Sequence, residues 1–136
     1  AQNHSVTVVC EDDFLLVEAD AKLIVQVIIN LVDNALKYTP AGASISINAE
    51  RKESVAEINI TDNGNGISDA EKEKIFDKFY CGEHKIADNR RSLGLGLYLC
   101  KTIVEAHGGT ICVTDKQPHG AVFTFTLPLE EVTYHE

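Results

Sequence analysis

Cations are scarce in this sequence. Lys and Arg number 12 against 21 Asp and Glu, a formal net charge of −9 over 136 residues. That balance argues against nucleic acid as a partner, because phosphate backbones are bound by excess positive charge. No apolar run reaches the length of a membrane span, and no signal peptide opens the chain. No repeat or low-complexity segment occurs. The four cysteines, Cys10, Cys81, Cys100 and Cys112, form no Cys-x-x-Cys pair. Cys10 and Cys112 in strand-like alternation, and Cys100 in an apolar helical stretch, read as small buried hydrophobes in a reducing, cytoplasmic setting. Cys81 and His84 would make half a zinc site but lack a second ligand pair nearby. What is present is a core: 44% of the residues are hydrophobic. That is enough for one compact domain over residues 1–136 and argues against disorder. The start at Ala1 rather than Met, with a strand-like segment almost at once, reads as a piece of a longer protein.

The hydrophobic periods predict an order β-β-α-β-β-α-loop-α-β-β. Residues 5–10 and 14–18 read as short strands. A helix follows from an N-cap at Asp20 to about Tyr38, ended by Pro40 and Gly42. Residues 44–50 and 55–61 alternate (Ile45, Ile47, Ala49; Ile58, Ile60) and form a hairpin turning at 51–54. Residues 69–79 read as a short helix. Residues 81–92 have no apolar period and read as a loop. Residues 95–106 return to helical spacing and end at Gly108-Gly109. Residues 110–114 and 121–127 are two more strands, turning at 118–120. Strands in hairpin pairs predict an α+β fold: a two-layer α/β sandwich with a mixed, mostly antiparallel sheet and its helices on one face. Strict βαβ alternation, and with it a doubly wound dinucleotide fold, is not supported.

Four constellations carry chemistry. In Gln26-Val-Ile-Ile-Asn30-Leu-Val-Asp-Asn34-Ala-Leu-Lys37-Tyr38, two amides fall one turn apart on one side of an apolar helix, with Lys37 on the same stripe. Amide oxygens are hard, neutral ligands that suit Mg²⁺ when phosphates complete the shell; equally, the two side chains could cap backbone or face solvent. Asp62-Asn-Gly64-Asn-Gly66-Ile67 follows a strand. Its Asp can accept from an exocyclic amine such as adenine N6, although Asn-Gly turns are common. Ser92-Leu93-Gly94-Leu95-Gly96-Leu97 runs into a helix and frees backbone N–H groups as a phosphate cradle. No Gly-Lys-Ser/Thr follows and no strand precedes it, which excludes a Walker A loop and a Rossmann fingerprint. Ile75-Phe76-Asp-Lys-Phe79-Tyr80 reads mainly as core at the base of a lid, and Lys85, Arg90 and Arg91 are candidate phosphate clamps on the loop beyond.

In this order and spacing the four segments resemble the N, G1, G2 and F boxes of the catalytic, ATP-binding domain of bacterial sensor histidine kinases, within the Bergerat-fold ATPase superfamily. Asn30–Tyr38 resembles the N box, Asp62–Ile67 the G1 box, residues 76–80 the F box and residues 94–97 the G2 box. His107-Gly-Gly-Thr-Ile111 and Gly120-Ala-Val-Phe-Thr-Phe-Thr-Leu-Pro128 resemble the closing strands. The resemblance implies about five strands, three helices on one face and a mobile ATP lid over about 81–93. It implies ATP and Mg²⁺ as cofactors. Asp62 would read adenine, Asn34 with Asn30 beside it would hold Mg²⁺, and Asn30 would stand at the catalytic position. Lys37, Arg90 and Arg91 would touch phosphates, Tyr38 would line the site, and Gly94 and Gly96 would cradle phosphates. Thr124 would support Asp62 by a hydrogen bond or a water. Gly64, Gly66, Ile67, Phe79, Leu93, Leu95 and Leu97 complete the implied contacts.

Two departures are visible: Ser92 stands where a further Gly is common, which would stiffen the lid hinge, and Asn65 replaces a common Pro. Residues 75–79 and 104–109 are most similar to KdpD-type kinases, which respond to potassium. The family phosphorylates a histidine followed by an acidic residue and Arg-Thr-Pro on a separate helical hairpin. None of His4, His84, His107, His119 and His135 has that context. The implied partners are therefore a phosphoacceptor (dimerisation) helical domain elsewhere in the parent and a downstream response regulator. The parent would be a membrane-anchored homodimer, and this piece a cytoplasmic monomer. The same-fold rivals are ATP hydrolases of the topoisomerase, mismatch-repair and chaperone type, and anti-sigma-factor serine kinases. Both place an acidic residue where Asn30 stands. An amide cannot take a proton from water, so Asn30 favours phosphoryl transfer over hydrolysis.

Overall fold

The computed structural model describes residues 5–10, 17–39, 42–77 and 96–129. Five strands, β1 (Ser5–Cys10), β2 (Ser44–Lys52), β3 (Val55–Asp62), β4 (Ile111–Asp115) and β5 (Ala121–Pro128), form one sheet in the order β1-β2-β3-β5-β4. The β2–β3, β3–β5 and β4–β5 pairs are antiparallel. At the edge, β1 runs parallel to β2. The local alternation did not report this pairing. A parallel neighbour needs a crossover, and the helix α1 (Ala21–Tyr38) supplies it. Of the strand expected at 14–18, Val17 makes an isolated antiparallel bridge to Leu129, and residues 14–16 lie outside the described residues.

Register makes the two faces chemically distinct. Ile60 lies opposite Ile47 and Phe123, and Ala56 opposite Leu127. With period 2, Ile45, Ala56, Ile60, Phe123, Phe125 and Leu127 share one face, and all are buried. The helix α1 covers β2 and β3 on that face, and α3 (Gly96–Ala106) covers β4 and β5. Val27, Leu31 and Ala35, spaced four apart on α1, are 0–2% exposed. Each large side chain among them stabilises the fold by about 1.5–3 kcal/mol through burial. The opposite face is polar: Asn59 donates to Asn48 Oδ1 at 2.9 Å, and Thr124 Oγ1 donates to Asn59 Oδ1 at 2.6 Å. The predicted two-layer α+β sandwich is therefore the observed architecture.

The caps follow sequence rules. Asp20 Oδ1 accepts from the N–H groups of Lys22 and Leu23 at 3.0 and 3.3 Å, which starts α1. The helix expected at 69–79 is shorter. Its regular part, α2, is Asp69–Lys72, capped by Ser68. Beyond it, Lys74 N–H donates to Glu71 O and Asp77 N–H to Lys74 O, which are three-residue turns. They deliver Phe76 edge-on to Phe123, with ring centroids 6.1 Å apart. The core reading of Phe76 is thus the observed one.

Candidate functional site

The candidate site lies where α1, the end of β3 and the start of α3 come together. Two contacts fix how the helices run. Cys100 Sγ donates to Val27 O at 3.7 Å, while His107 Nε2 accepts from Asp20 N–H at 3.1 Å. As α3 advances from 100 to 107, its partner on α1 retreats from Val27 to Asp20, so the helices are antiparallel. Followed one turn back from Cys100, the same pairing brings Gly96, the first residue of α3, opposite Leu31, between Asn30 and Asn34 on α1. A helix N-terminus with its free N–H groups is an anion site. Nothing lies within 4 Å of a Cβ added at Gly96, so packing does not demand glycine there.

The two asparagines have different surroundings. Asn30 accepts at Oδ1 from Gln26 Nε2 at 2.9 Å and lies beside Cys100 at the α1–α3 seam. Burial pushes the Cys100 thiol up to about 12, against a small opposing pull from Asn30. Asn34 is half-buried and has no side-chain hydrogen bond among the described residues. A half-buried amide without a protein partner is suited to an incoming ligand. The bond from Gln26 takes one of the two acceptor positions on the Asn30 oxygen, whereas the Asn34 oxygen accepts none from the described residues.

Asp62 ends β3 on the helix-facing side and is 6% exposed. Oδ1 accepts from Gly64 N–H at 2.9 Å, which leaves the carboxylate further acceptor capacity. The loop after it is fastened on both flanks. Asn63 Oδ1 accepts from Ser44 N–H at 2.8 Å. Gly64 lies against Thr39 at the end of α1, where an added Cβ would come within 2.6 Å of Thr39 Cγ2. Gly66 has φ +80°, a left-handed conformation that favours glycine. Ile67 packs partly buried against the core.

One predicted site residue is displaced. Thr124 is one residue out of phase with Phe123 and Phe125, so it faces away from the helices and bonds Asn59. It cannot reach Asp62, whose partner across the β3–β5 ladder is Ala121. The alternation of β5 held this signal in the sequence. Cys112 is likewise exposed rather than buried, because it shares the outer face. The sequence reading placed His107 only in the closing-strand resemblance and gave His119 no role. The backbone of Lys37 and Tyr38 forms the last turn of α1, and their side chains lie outside the described residues. So do Cys81, His84, Lys85, Phe79, Arg90, Arg91, Ser92, Leu93, Gly94, Leu95 and the whole lid at 81–93. Leu97 is half-buried on the first turn of α3.

No group of three or more His, Cys, Asp or Glu that could hold a metal occurs among the described residues. A cation here would take most of its shell from phosphate and water, with an amide oxygen beside them. That is the donor set Mg²⁺ accepts. No helix among the described residues is long and apolar enough to cross a membrane.

Comparison with known proteins agrees with this geometry. The sensor protein KdpD of Clostridium acetobutylicum is 46% identical over 129 residues, covering 95% of this chain and 14% of that protein. The adaptive-response sensory kinase SasA of Synechocystis is 41% identical over 131 residues, covering 94% of this chain and 33% of the kinase. The chain thus spans a third or less of these relatives' length. Among solved structures, the nucleotide-free catalytic domain of histidine kinase ThkA superposes with a TM-score of 0.80 at 33% identity, over 93% of this chain and 80% of that one. ThkA in complex with response regulator TrrA gives 0.76 at 33% identity, over 93% of this chain and 34% of that one. The family model for histidine kinase-, DNA gyrase B- and HSP90-like ATPases matches residues 19–131. With its α1–α3 seam, its buried Asp62 and this match, the chain belongs to that family of ATP-binding domains, on the sensor histidine kinase side of it.

Proposed function

We propose that this chain binds Mg-ATP and presents the γ-phosphoryl group to a histidine on a separate helical phosphoacceptor domain of a two-component sensor kinase. The observation that carries the reading is the half-buried amide of Asn34, which has no side-chain hydrogen bond among the described residues, together with the buried carboxylate of Asp62 on a loop against the end of α1. Asp62 accepts a hydrogen bond from the adenine amine. Asn34 offers its oxygen to Mg²⁺, and Asn30 holds the α1–α3 seam beside it. The N–H groups at the start of α3, with Gly94 and Gly96, face the phosphates. Lys37, Tyr38, Arg90 and Arg91 are proposed contacts on the remaining sides, and residues 81–93 the lid. Bound ATP supplies the phosphoryl group. The chain supplies position and electrostatic stabilisation, which is most of what phosphoryl transfer asks of a protein. Asn30, being an amide, supports transfer rather than water activation.

Residues 1–136 act as a single, monomeric domain in this reading. The acceptor domain belongs to the rest of the parent, which is a membrane-anchored homodimer with this piece on the cytoplasmic side. A response regulator is the downstream partner, and the ThkA complex with TrrA supports that class. Exposed apolar side chains on the helices, Leu23, Val25, Ile29 and Leu99, support contact with a helical partner.

Calorimetry tests the reading. Mg-ATP should bind with a free energy on the order of −4 to −8 kcal/mol, millimolar to micromolar. Asn34→Ala should remove the Mg²⁺ dependence of that affinity. Wild-type affinity for Mg-ATP in Asn34→Ala would sink the metal role, and no heat with wild type would sink the function.

A further inference from the structure

The turn between β4 and β5 touches the loop that carries Asp62. A Cβ added at Gly120 would fall 2.0 Å from Asp62 O, and one at Gly66 would fall 3.2 Å from Gly120 O. Across this contact His119 Nδ1 lies 3.0 Å from Gly64 O, a hydrogen bond between residues 55 apart in sequence. A carbonyl only accepts, so Nδ1 carries the proton, as it does in one neutral tautomer and in the imidazolium. The turn itself is anchored. Lys116 N–H donates to Gly120 O at 3.1 Å. At its root Asp115 pairs with Lys72 Nζ at 2.8 Å, which ties β4 to α2 beyond the loop.

Gly64 is therefore held on both sides. Its N–H donates to Asp62 Oδ1, and its C=O accepts from His119. These groups belong to successive peptide planes, joined only by the φ and ψ of a glycine, the residue with the widest conformational freedom. Fixing both planes fixes the residue, and with it the direction of the N–H that orients the Asp62 carboxylate. We propose that His119 is a positioning residue for base recognition: by holding the Gly64 carbonyl it sets the orientation in which Asp62 meets the exocyclic amine of a purine. This rests on the nucleotide-binding reading above. His119 itself is largely exposed on its turn, so its ring adds little to the core, and its one described polar contact is with this loop.

The test is the affinity of wild type, His119→Ala and His119→Asn for Mg-ATP and Mg-GTP by calorimetry. The amide nitrogen of Asn falls close to where Nδ1 stands in His, so Asn can keep the bond. Loss of one hydrogen bond that orders a binding group should weaken ATP about 2- to 10-fold in His119→Ala. GTP, which lacks the amine at that position, should change less, so the ATP-to-GTP preference narrows. His119→Asn should recover most of it. A loss of global stability would lower both affinities together and would not move their ratio. Unchanged ATP preference in His119→Ala, or no recovery in His119→Asn, overturns the proposal. A wild-type chain that binds no ATP overturns the nucleotide reading beneath it, a different failure. One wild-type measurement needs no variant: nitrogen NMR of the neutral ring should find the proton on Nδ1, and a bare Nδ1 would overturn the proposal.

Discussion

Two glycine joints close elements of this fold, one after α3 and one after β3, and they use glycine differently. At residues 107–109, Gly108 N–H donates to Glu105 O and Gly109 N–H to Val104 O, both at 3.0 Å, with Gly108 at φ +83°. This is a Schellman cap, complete within its own helix. Above it His107 donates from Nδ1 to Ile103 O at 2.8 Å and accepts at Nε2 from Asp20 N–H, which stitches the end of α3 to the start of α1. Gly109 is packed against β5, where a Cβ would stand 1.8 Å from Thr126 O. At residues 62–66 the backbone is also fastened, but around a buried carboxylate with one partner among the described residues. The first joint satisfies its own polar groups. The second leaves an acceptor open at a position held by everything around it. Glycine-rich sequence is common to both, so it cannot by itself distinguish a packing joint from a binding loop.

The largest effect should come from breaking the packing joint. Gly109→Ala forces a methyl group into the β5 backbone, and the fold should lose about 3 kcal/mol or more, read by urea unfolding. The binding loop should respond in the opposite sense. Asp62→Asn keeps an acceptor for Gly64 N–H and removes a buried charge, so unfolding should shift by less than about 1 kcal/mol. ATP affinity should fall about 10-fold or more, since a hydrogen bond to a charged group is lost. Equal effects on stability and on binding in both variants would erase the contrast.

His107→Ala should cost about 1–2 kcal/mol of stability through its two hydrogen bonds, with ATP affinity of the folded protein unchanged. The smallest effect concerns the seam between the joints. An unfolded Cys100 thiol ionises from its ordinary 9.0 upward, whereas the folded one keeps its proton to about 12. The unfolded chain therefore holds fewer protons in that window, and stability should fall as pH rises through it. At pH 8 alkylation of the native protein should modify Cys112 and spare Cys100, and denaturant should remove the difference.

Alternation made most of the sheet legible. Ile45-Ile47-Ala49 against Ile58-Ile60, and Phe123-Phe125-Leu127, give strand, face and register together, and Asp20 marks the start of α1. The Asn30–Asn34 spacing and the Asp-Asn-Gly-Asn-Gly run marked two segments that the fold places side by side, where Gly64 meets Thr39 at the end of α1. What escaped depends on contacts distant in sequence. The β1–β2 pairing is parallel because α1 lies between them, and no local pattern reports it. The turns after Lys72 replace helix because Phe76 has Phe123 to meet. The neighbours that set Asn30 apart from Asn34 among the described residues are Gln26 within α1 and Cys100, 70 residues on. Thr124 is the different case: the alternation with Phe123 and Phe125 put its phase, and so its outer face, in the sequence itself.

The outer-face rung from Asn48 through Asn59 to Thr124 has a consequence for how the protein can fail. A slip of β5 by one residue against β3 would break that rung and turn Phe123 and Phe125 to water. A misassembled chain would therefore bare two aromatic rings and lose its polar rung in the same step, so the rung acts as a register key: its two hydrogen bonds form only when the rings are correctly buried.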